Sequence, residues 1–335
     1  FSTVDNVLYD KDKTNLVLYS KNKQGEFVIP DTVTSIFDHA FDNAPNLTKV
    51  TVSANVRTIG TGAFQKCNSL ETVVFKDSNN GSKSIGDYAF YNCPALTKVD
   101  FGNAVTSIGS YAFTTNKSLE SIEFPDSLES IGYGAFSSLS SGNTGSYVAS
   151  SLKTVKFGTG LKTISDYAFY CNESLSSLEF TGNNLTSIGQ SAFRECKALT
   201  ELNLTGDNLT IGSYAFYYDT RLKSVTLSGV KSISNDTFRN CTALETIILP
   251  ENLENIGNYA FQYCSKLTSV DIPNNVTKLS DNTFANCSSL KNVSIGSSCA
   301  SISSTAFLNS NAIEKITVAE DNANYSSVDG ALLNK

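Results

Sequence analysis

One imidazole, eight thiols and recurring carboxylates are the side chains through which this 335-residue chain could do chemistry. A nucleophilic hydrolase needs an imidazole held beside a serine or cysteine. His39 is the only histidine, and it falls in a position where other parts of the chain carry Tyr or Ser, so it reads as solvent-facing and structural. A thiolate metal site wants paired ligands such as Cys-x-x-Cys with histidine support, and the cysteine spacing offers no such pair. A glycosidase needs two carboxyl groups, one of them buried and shifted upward. Glu71, Glu120, Glu245 and Glu314 recur in one outward slot and Asp100, Glu123, Glu179 and Asp271 in another, which describes a solvated acidic face. No glycine-rich phosphate loop follows a strand. The expectation is a chain that is not an enzyme, with no catalytic residues, no metal and no cofactor.

The elements that carry these residues follow from a repeat. Phenylalanines stand at 41, 64, 90, 113, 136, 169, 193, 216, 238, 261, 284 and 307, mostly 23 residues apart. Around them the chain reads Leu-x-x-Val-x-Phe, often Pro, then Val/Leu-x-x-Ile-Gly-x-x-Ala-Phe-x-x-Cys. One copy runs Leu244-x-x-Ile247-x-Leu249-Pro250-x-x-Leu253-x-x-Ile256-Gly257-x-x-Ala260-Phe261-x-x-Cys264. The Val-x-Phe part alternates with period two and predicts a short strand with one buried face. Three residues before each anchor stand Asp38, Thr61, Asp87, Ser110 and their counterparts, mostly residues that cap helix N-termini, so a one-turn helix or 3-10 segment is expected there. A unit that cannot bury its own apolar face must stack on its neighbours, and such an array needs capped ends.

The fold class predicted is therefore an α/β repeat: a right-handed leucine-rich-repeat solenoid, with a parallel β-sheet on one face and short helical or 3-10 turns on the other, in about twelve repeats of roughly 23 residues. Six cysteines lie three after an anchor, Cys171 two after, and Cys299 replaces an aliphatic slot residue. In such slots Cys behaves as a small buried hydrophobe, so free thiols are expected, with disulfides between neighbouring coils as the alternative.

Charge and hydropathy exclude other classes. With 25 Lys+Arg against 32 Asp+Glu the net charge is −7, the wrong sign for a nucleic-acid partner. No apolar run reaches the roughly 18 residues needed to cross a bilayer, so no membrane insertion of this segment is expected.

Copies such as Ile108-Gly109-Ser110-Tyr111-Ala112-Phe113 and Ile256-Gly257-Asn258-Tyr259-Ala260-Phe261-Gln262-Tyr263-Cys264 resemble the BspA-like class of leucine-rich repeats, over about residues 26 to 319. The resemblance implies a secreted or cell-surface location and, for some members, adhesion to host proteins or other microbes. It brings no catalytic residues. Phe1 to Tyr9 is echoed by Tyr325 to Leu333, which also looks like this family. The organisation expected is a hairpin cap over residues 1–25, the solenoid over 26–319, and the start of a further capping unit over 320–335, with a natural protein that continues beyond it.

Ligand contacts are expected on outward strand positions or on insertions. Asp100, Glu123, Lys156, Glu179, Asn203 and Thr226 form the candidate strand surface, and Tyr147 with Val148 the apolar handle of a Ser/Gly-rich insertion. Tyr88, Tyr111, Tyr167, Tyr214 and Tyr259, two before their anchors, read first as packing residues. The expected function is non-catalytic binding, as a monomer, to an extracellular protein or glycan. A structural spacer presenting another domain is the alternative.

Overall fold

The computed structural model describes residues 1–78, 81–138 and 149–335. It divides into two compact units, Phe1–Leu175 and Ser176–Lys335. Each is a β-solenoid whose coils stack through parallel strands.

In the first unit every coil contributes two strands rather than the one read from the sequence. The Val-x-Phe strands Gly25–Val28, Leu47–Val52, Thr72–Phe75 and Lys98–Asp100 form one parallel ribbon, and Ser121–Glu123 pairs in the same way with Thr154–Phe157. The second ribbon is made of short strands ending in the isoleucine before the turn, with Ile36, Ile59, Ile85, Ile108, Ile131 and Ile164 in register. Two residues suffice for these strands because a proline or turn on one side and the Ile-Gly corner on the other cut them short. The corner needs glycine for space: a Cβ on Gly60 would come within 2.5 Å of the Asp38 nitrogen in the coil below. Ser2–Val4 and Val7–Tyr9 form an antiparallel hairpin, and Asn15–Tyr19 joins it to the second ribbon through Leu16 and Ile36.

The expected helical or 3-10 turns are absent among the described residues; each is replaced by consecutive β-turns. Backbone donors explain the difference. Alternate N–H groups close i to i−3 turns, as in Ala40 to Phe37 at 3.2 Å and Asp42 to His39 at 3.0 Å. The intervening ones leave the coil for the next: His39 to the Thr61 carbonyl at 2.9 Å, Phe41 to Ala63 at 2.7 Å and Asn43 to Gln65 at 2.9 Å. His39 and Asn43 sit at φ +58° and +53°, and a left-handed residue every fourth position cannot continue a right-handed helix. The polar residues read as helix caps serve the stack instead. Asp38 Oδ1 accepts from the Thr61 nitrogen at 2.7 Å and Asp87 Oδ1 from the Ser110 nitrogen at 2.6 Å, each one coil onward.

The core is a column of anchor rings. From Tyr19 through Phe41, Phe64, Phe90, Phe113, Phe136 and Phe169, successive centroids lie 4.4–5.2 Å apart. A second column, Phe75, Phe101, Phe124 and Phe157, meets the first edge-on at 5.5–6.3 Å.

The second unit keeps the anchor column, with Phe193, Phe216, Phe238, Phe261, Phe284 and Phe307 stacked at 5.2–5.8 Å. After Phe180 its second column is aliphatic: Leu204, Leu227, Leu249, Ile272, Ile295 and Val318. In two coils the strands fuse into continuous runs, Glu201–Ile211 and Ser224–Ile233, paired in parallel with Leu204 opposite Leu227 and Ile211 opposite Ile233. These coils lack the strand-ending proline found as Pro250 and Pro273 in the next two. They carry Gly206 and Gly229 at that corner, where a Cβ on Gly229, at φ +69°, would run into the Gly206 carbonyl. Tyr325–Val328 and Ala331–Asn334 form a closing hairpin that accepts the Ile316 N–H at the Gly330 carbonyl, 2.9 Å.

Candidate binding surfaces

The thiols are spent on stacking. All eight cysteines are buried, and none forms a disulfide. Cys67, Cys93, Cys241, Cys264 and Cys287 each donate to the carbonyl of the anchor phenylalanine one coil back, at 3.1–3.3 Å. Burial pushes the Cys93, Cys241 and Cys264 thiols well up and Cys287 to about 12, so the nucleophilic thiolate is suppressed. Where the slot lacks cysteine, another donor performs the same task. Asn116 Nδ2 donates to the Phe90 carbonyl at 3.1 Å while its Oδ1 accepts from the Cys93 nitrogen at 2.7 Å. Ser310 does both with one hydroxyl, at 2.7 and 2.9 Å.

Asp219 is the exception. It is fully buried in this slot, its Oδ1 accepts from the Cys196 nitrogen at 2.8 Å, and its Oδ2 has no hydrogen-bond partner. From this same repeat position, three after the anchor, Asn116 and Ser310 present a donor. A carboxylate cannot donate but a carboxylic acid can, and burial, reinforced by Glu195 against the opposing Cys196 N–H, pushes the Asp219 pKa well up. The shift favours the protonated acid in this slot. Its sequence position, three after Phe216, carried the signal.

Lys83 is a second buried ionisable group that sequence reading missed. Its ammonium donates to the carbonyls of Ser53, Ala54 and Val56 at 3.1, 2.6 and 2.8 Å, and burial, with Arg57 nearby, lowers its pKa. It substitutes a polar plug for the aliphatic residue that its register partner Val105 supplies one coil on.

The outward strand residues are exposed but partly self-paired. Register places Glu123 opposite Lys156, and the two meet at 2.8 Å. Glu120 and Lys153 repeat this at 2.8 Å in the same two coils. Asp100 turns back on itself, accepting the Gly102 nitrogen at 3.1 Å. In the second unit Glu179, Asn203 and Thr226 are exposed, the last two opposite one another. Tyr147 and Val148 lie outside the described residues. His39 is exposed, its Nδ1 3.1 Å from Gln65 Nε2. No group of three or more His, Cys, Asp or Glu that could hold a metal ion occurs among the described residues, and no helix there is long and apolar enough to cross a membrane.

The tyrosines of the turn side pack on one another. Tyr88, Tyr111, Tyr133 and Tyr167 form a ladder with centroids 5.1–5.3 Å apart. Burial and the neighbouring phenols raise Tyr111 to about 12. Tyr133, a step outside the row read from the sequence, bridges it. In the second unit the turn side changes character: the Arg194 guanidinium lies 4.9 Å from the Tyr217 ring centre and that of Arg239 5.3 Å from Tyr259.

Comparison with known proteins agrees with this architecture. The BspA-type leucine-rich-repeat region matches residues 15–143, 143–229 and 209–327. The crystal structure of a leucine-rich-repeat protein from Bacteroides ovatus aligns with a TM-score of 0.53 at 25% identity, covering 96% of this chain and 95% of that one. A leucine-rich cell-surface protein from Faecalibacterium prausnitzii aligns with a TM-score of 0.49 at 26% identity, over 95% of this chain and 94% of that one. No curated protein matches the chain.

Proposed function

The chain belongs to the BspA-type leucine-rich-repeat family, and from that premise we propose that it is a non-catalytic, monomeric binding module of the cell surface or secreted space, adhering to an extracellular protein or glycan. The observation that supports this reading is the division of labour among the slots. Inward thiols, amides and hydroxyls are consumed by coil-to-coil hydrogen bonds, while outward residues change from coil to coil without disturbing the stack. A scaffold built this way can vary its surface freely.

Asp100, Glu123, Lys156, Glu179, Asn203 and Thr226 are one proposed contact surface, and Tyr147 with Val148 another. The test is a screen of the whole chain against matrix proteins, mucins and glycans, beside variants with either set replaced by alanine. Saturable binding supports the module, and its loss in one variant assigns the surface. Absence of binding to every partner favours a spacer that holds another domain.

A further inference from the structure

We propose that the turn side of the second unit around Arg239 is a docking surface for an acidic polysaccharide, one carrying carboxylate or sulfate groups on its rings. This names a ligand class and a site for the binding module and rests on that reading.

Charge is the first argument. The chain has four arginines, and three of them, Arg194, Arg221 and Arg239, fall within five residues after consecutive anchors. From two before to five after the anchors Phe193, Phe216, Phe238 and Phe261 stand five cations, Arg194, Lys197, Arg221, Arg239 and Lys266, against the carboxylates Glu195, Asp219 and Asp236, of which Asp219 is buried; Arg194 and Lys197 meet Glu195 at 3.4 and 3.5 Å and Arg239 meets Asp236 at 2.9 Å. A local excess of 5 − 3 = +2 within a chain of net charge −7 favours an anionic partner at this place.

The aromatic rings are the second. One slot after the anchor, Arg194, Tyr217 and Arg239 alternate, with Arg194 stacked over Tyr217. Two slots after it, Tyr218 and Tyr263 stand at φ +67° and +65°. The same slot is at positive φ with Asn43, Asn92, Asn240, Asn286 and Asn309 and also with Lys66, Thr115, Cys171 and Glu195, so the coil sets this backbone and asparagine fits it most easily. What sets the two tyrosines apart is exposure, their rings remaining 42% and 41% open to solvent.

The exposed part of Arg239 is the third. Asp236 takes only Nη1 of Arg239, at 2.9 Å. Its Nε, like the neighbouring Gln262 Oε1, is buried without a partner, while the Arg239 side chain as a whole stays 32% exposed. A guanidinium held against tyrosine faces is suited to planar oxyanions, and the rings on either side present faces to the apolar side of a sugar. Rings that recur with the coil repeat suit a polymer of repeating rings better than the irregular side chains of a peptide.

The test measures binding of the whole chain to dextran sulfate, polygalacturonate, neutral dextran and poly-glutamate, for the unaltered protein, Arg239→Gln and the double variant Tyr218→Asn/Tyr263→Asn. Saturable binding to one of the acidic polysaccharides is expected, the better of the two distinguishing sulfate from carboxylate, with none to neutral dextran. Each variant should weaken it about tenfold or more. Because Asn fits this backbone slot, the double variant should melt no lower than the unaltered chain, so its loss of binding is not a loss of fold. Equal binding by the variants, no binding to either acidic polysaccharide, or equal binding to poly-glutamate would overturn the proposal. If the variants still capture a protein partner found in the wider screen and no polysaccharide binds, this site fails while the module stands; if nothing binds in either screen, both fail.

Discussion

The two units solve one packing problem with different side chains. In the first, the rings of the anchor column are braced by a second aromatic column, with Phe75 edge-on to Phe90 and Phe124 edge-on to Phe136. In the second, after Phe180, the equivalent bracing positions are leucine, isoleucine and valine, and Phe238 meets its stacked neighbours at 5.4 and 5.5 Å. The buried polar slot varies as well: Asn116 supplies a donor and an acceptor, Ser310 does both with one hydroxyl, and Asp219 can donate only as the protonated acid. A repeat slot therefore specifies a volume and a hydrogen-bonding role, not a residue.

The largest test of that comparison is truncation of an anchor. Phe90→Ala and Phe238→Ala should each cost about 3–5 kcal/mol, with Phe90→Ala nearer the top because it also forfeits an edge-on aromatic contact worth roughly 0.5–1.5 kcal/mol. Urea unfolding midpoints of the two variants decide the order, and a reversed order would mean that aliphatic bracing is the tighter packing.

Asp219→Asn comes next. Asparagine matches the donor-and-acceptor role that Asn116 plays, so the variant should be more stable than the unaltered chain at pH 7, by about 1–3 kcal/mol. The pH dependence has a definite sign. The folded-state pKa of Asp219 is raised above its unfolded value, so between the two values the folded chain holds a proton that the unfolded chain lacks. Stability is then fully present below the ordinary aspartate range, near pH 4, and falls as pH rises toward the folded pKa, by up to about 1.4 kcal/mol per unit from this group. Melting curves from pH 4 to 8 should show that decline in the unaltered chain and a flatter course in Asp219→Asn. An identical slope in both would show that Asp219 is ionised.

The smallest effect is expected at the strand surface. Lys156→Ala removes an exposed ion pair with Glu123 and should change stability by less than about 1 kcal/mol. A loss as large as that of an anchor would mean that the strand face is structural rather than available to a ligand.

Much of this was legible because the anchor spacing repeats so closely. A phenylalanine every 23 residues, flanked by period-two apolar positions, admits few arrangements other than a stack of coils, and the buried state of the cysteines followed from their slots. The turn side was misread as helical because a capping residue before an apolar pair carries the same sign in both cases. The backbone donors of residues such as Phe41 go to the next coil rather than to their own, and one coil's sequence contains no record of what its neighbour offers. Lys83 escaped notice for the same reason, since the three carbonyls that hold it belong to the coil before it.

What the sequence determined alone was the repeat, its inward volumes and its membership of a family, all properties of residue type and spacing within one chain. What only the tertiary structure decided was where each polar group finds its partner: which carboxylates pair across the strands, that the Asp219 acid sits where a donor is required, and that Arg239 lies among exposed tyrosines. Those outcomes depend on contacts between coils some 23 residues apart, and hydrogen bonds and charges act over a few ångströms, a distance that spacing along the chain does not record.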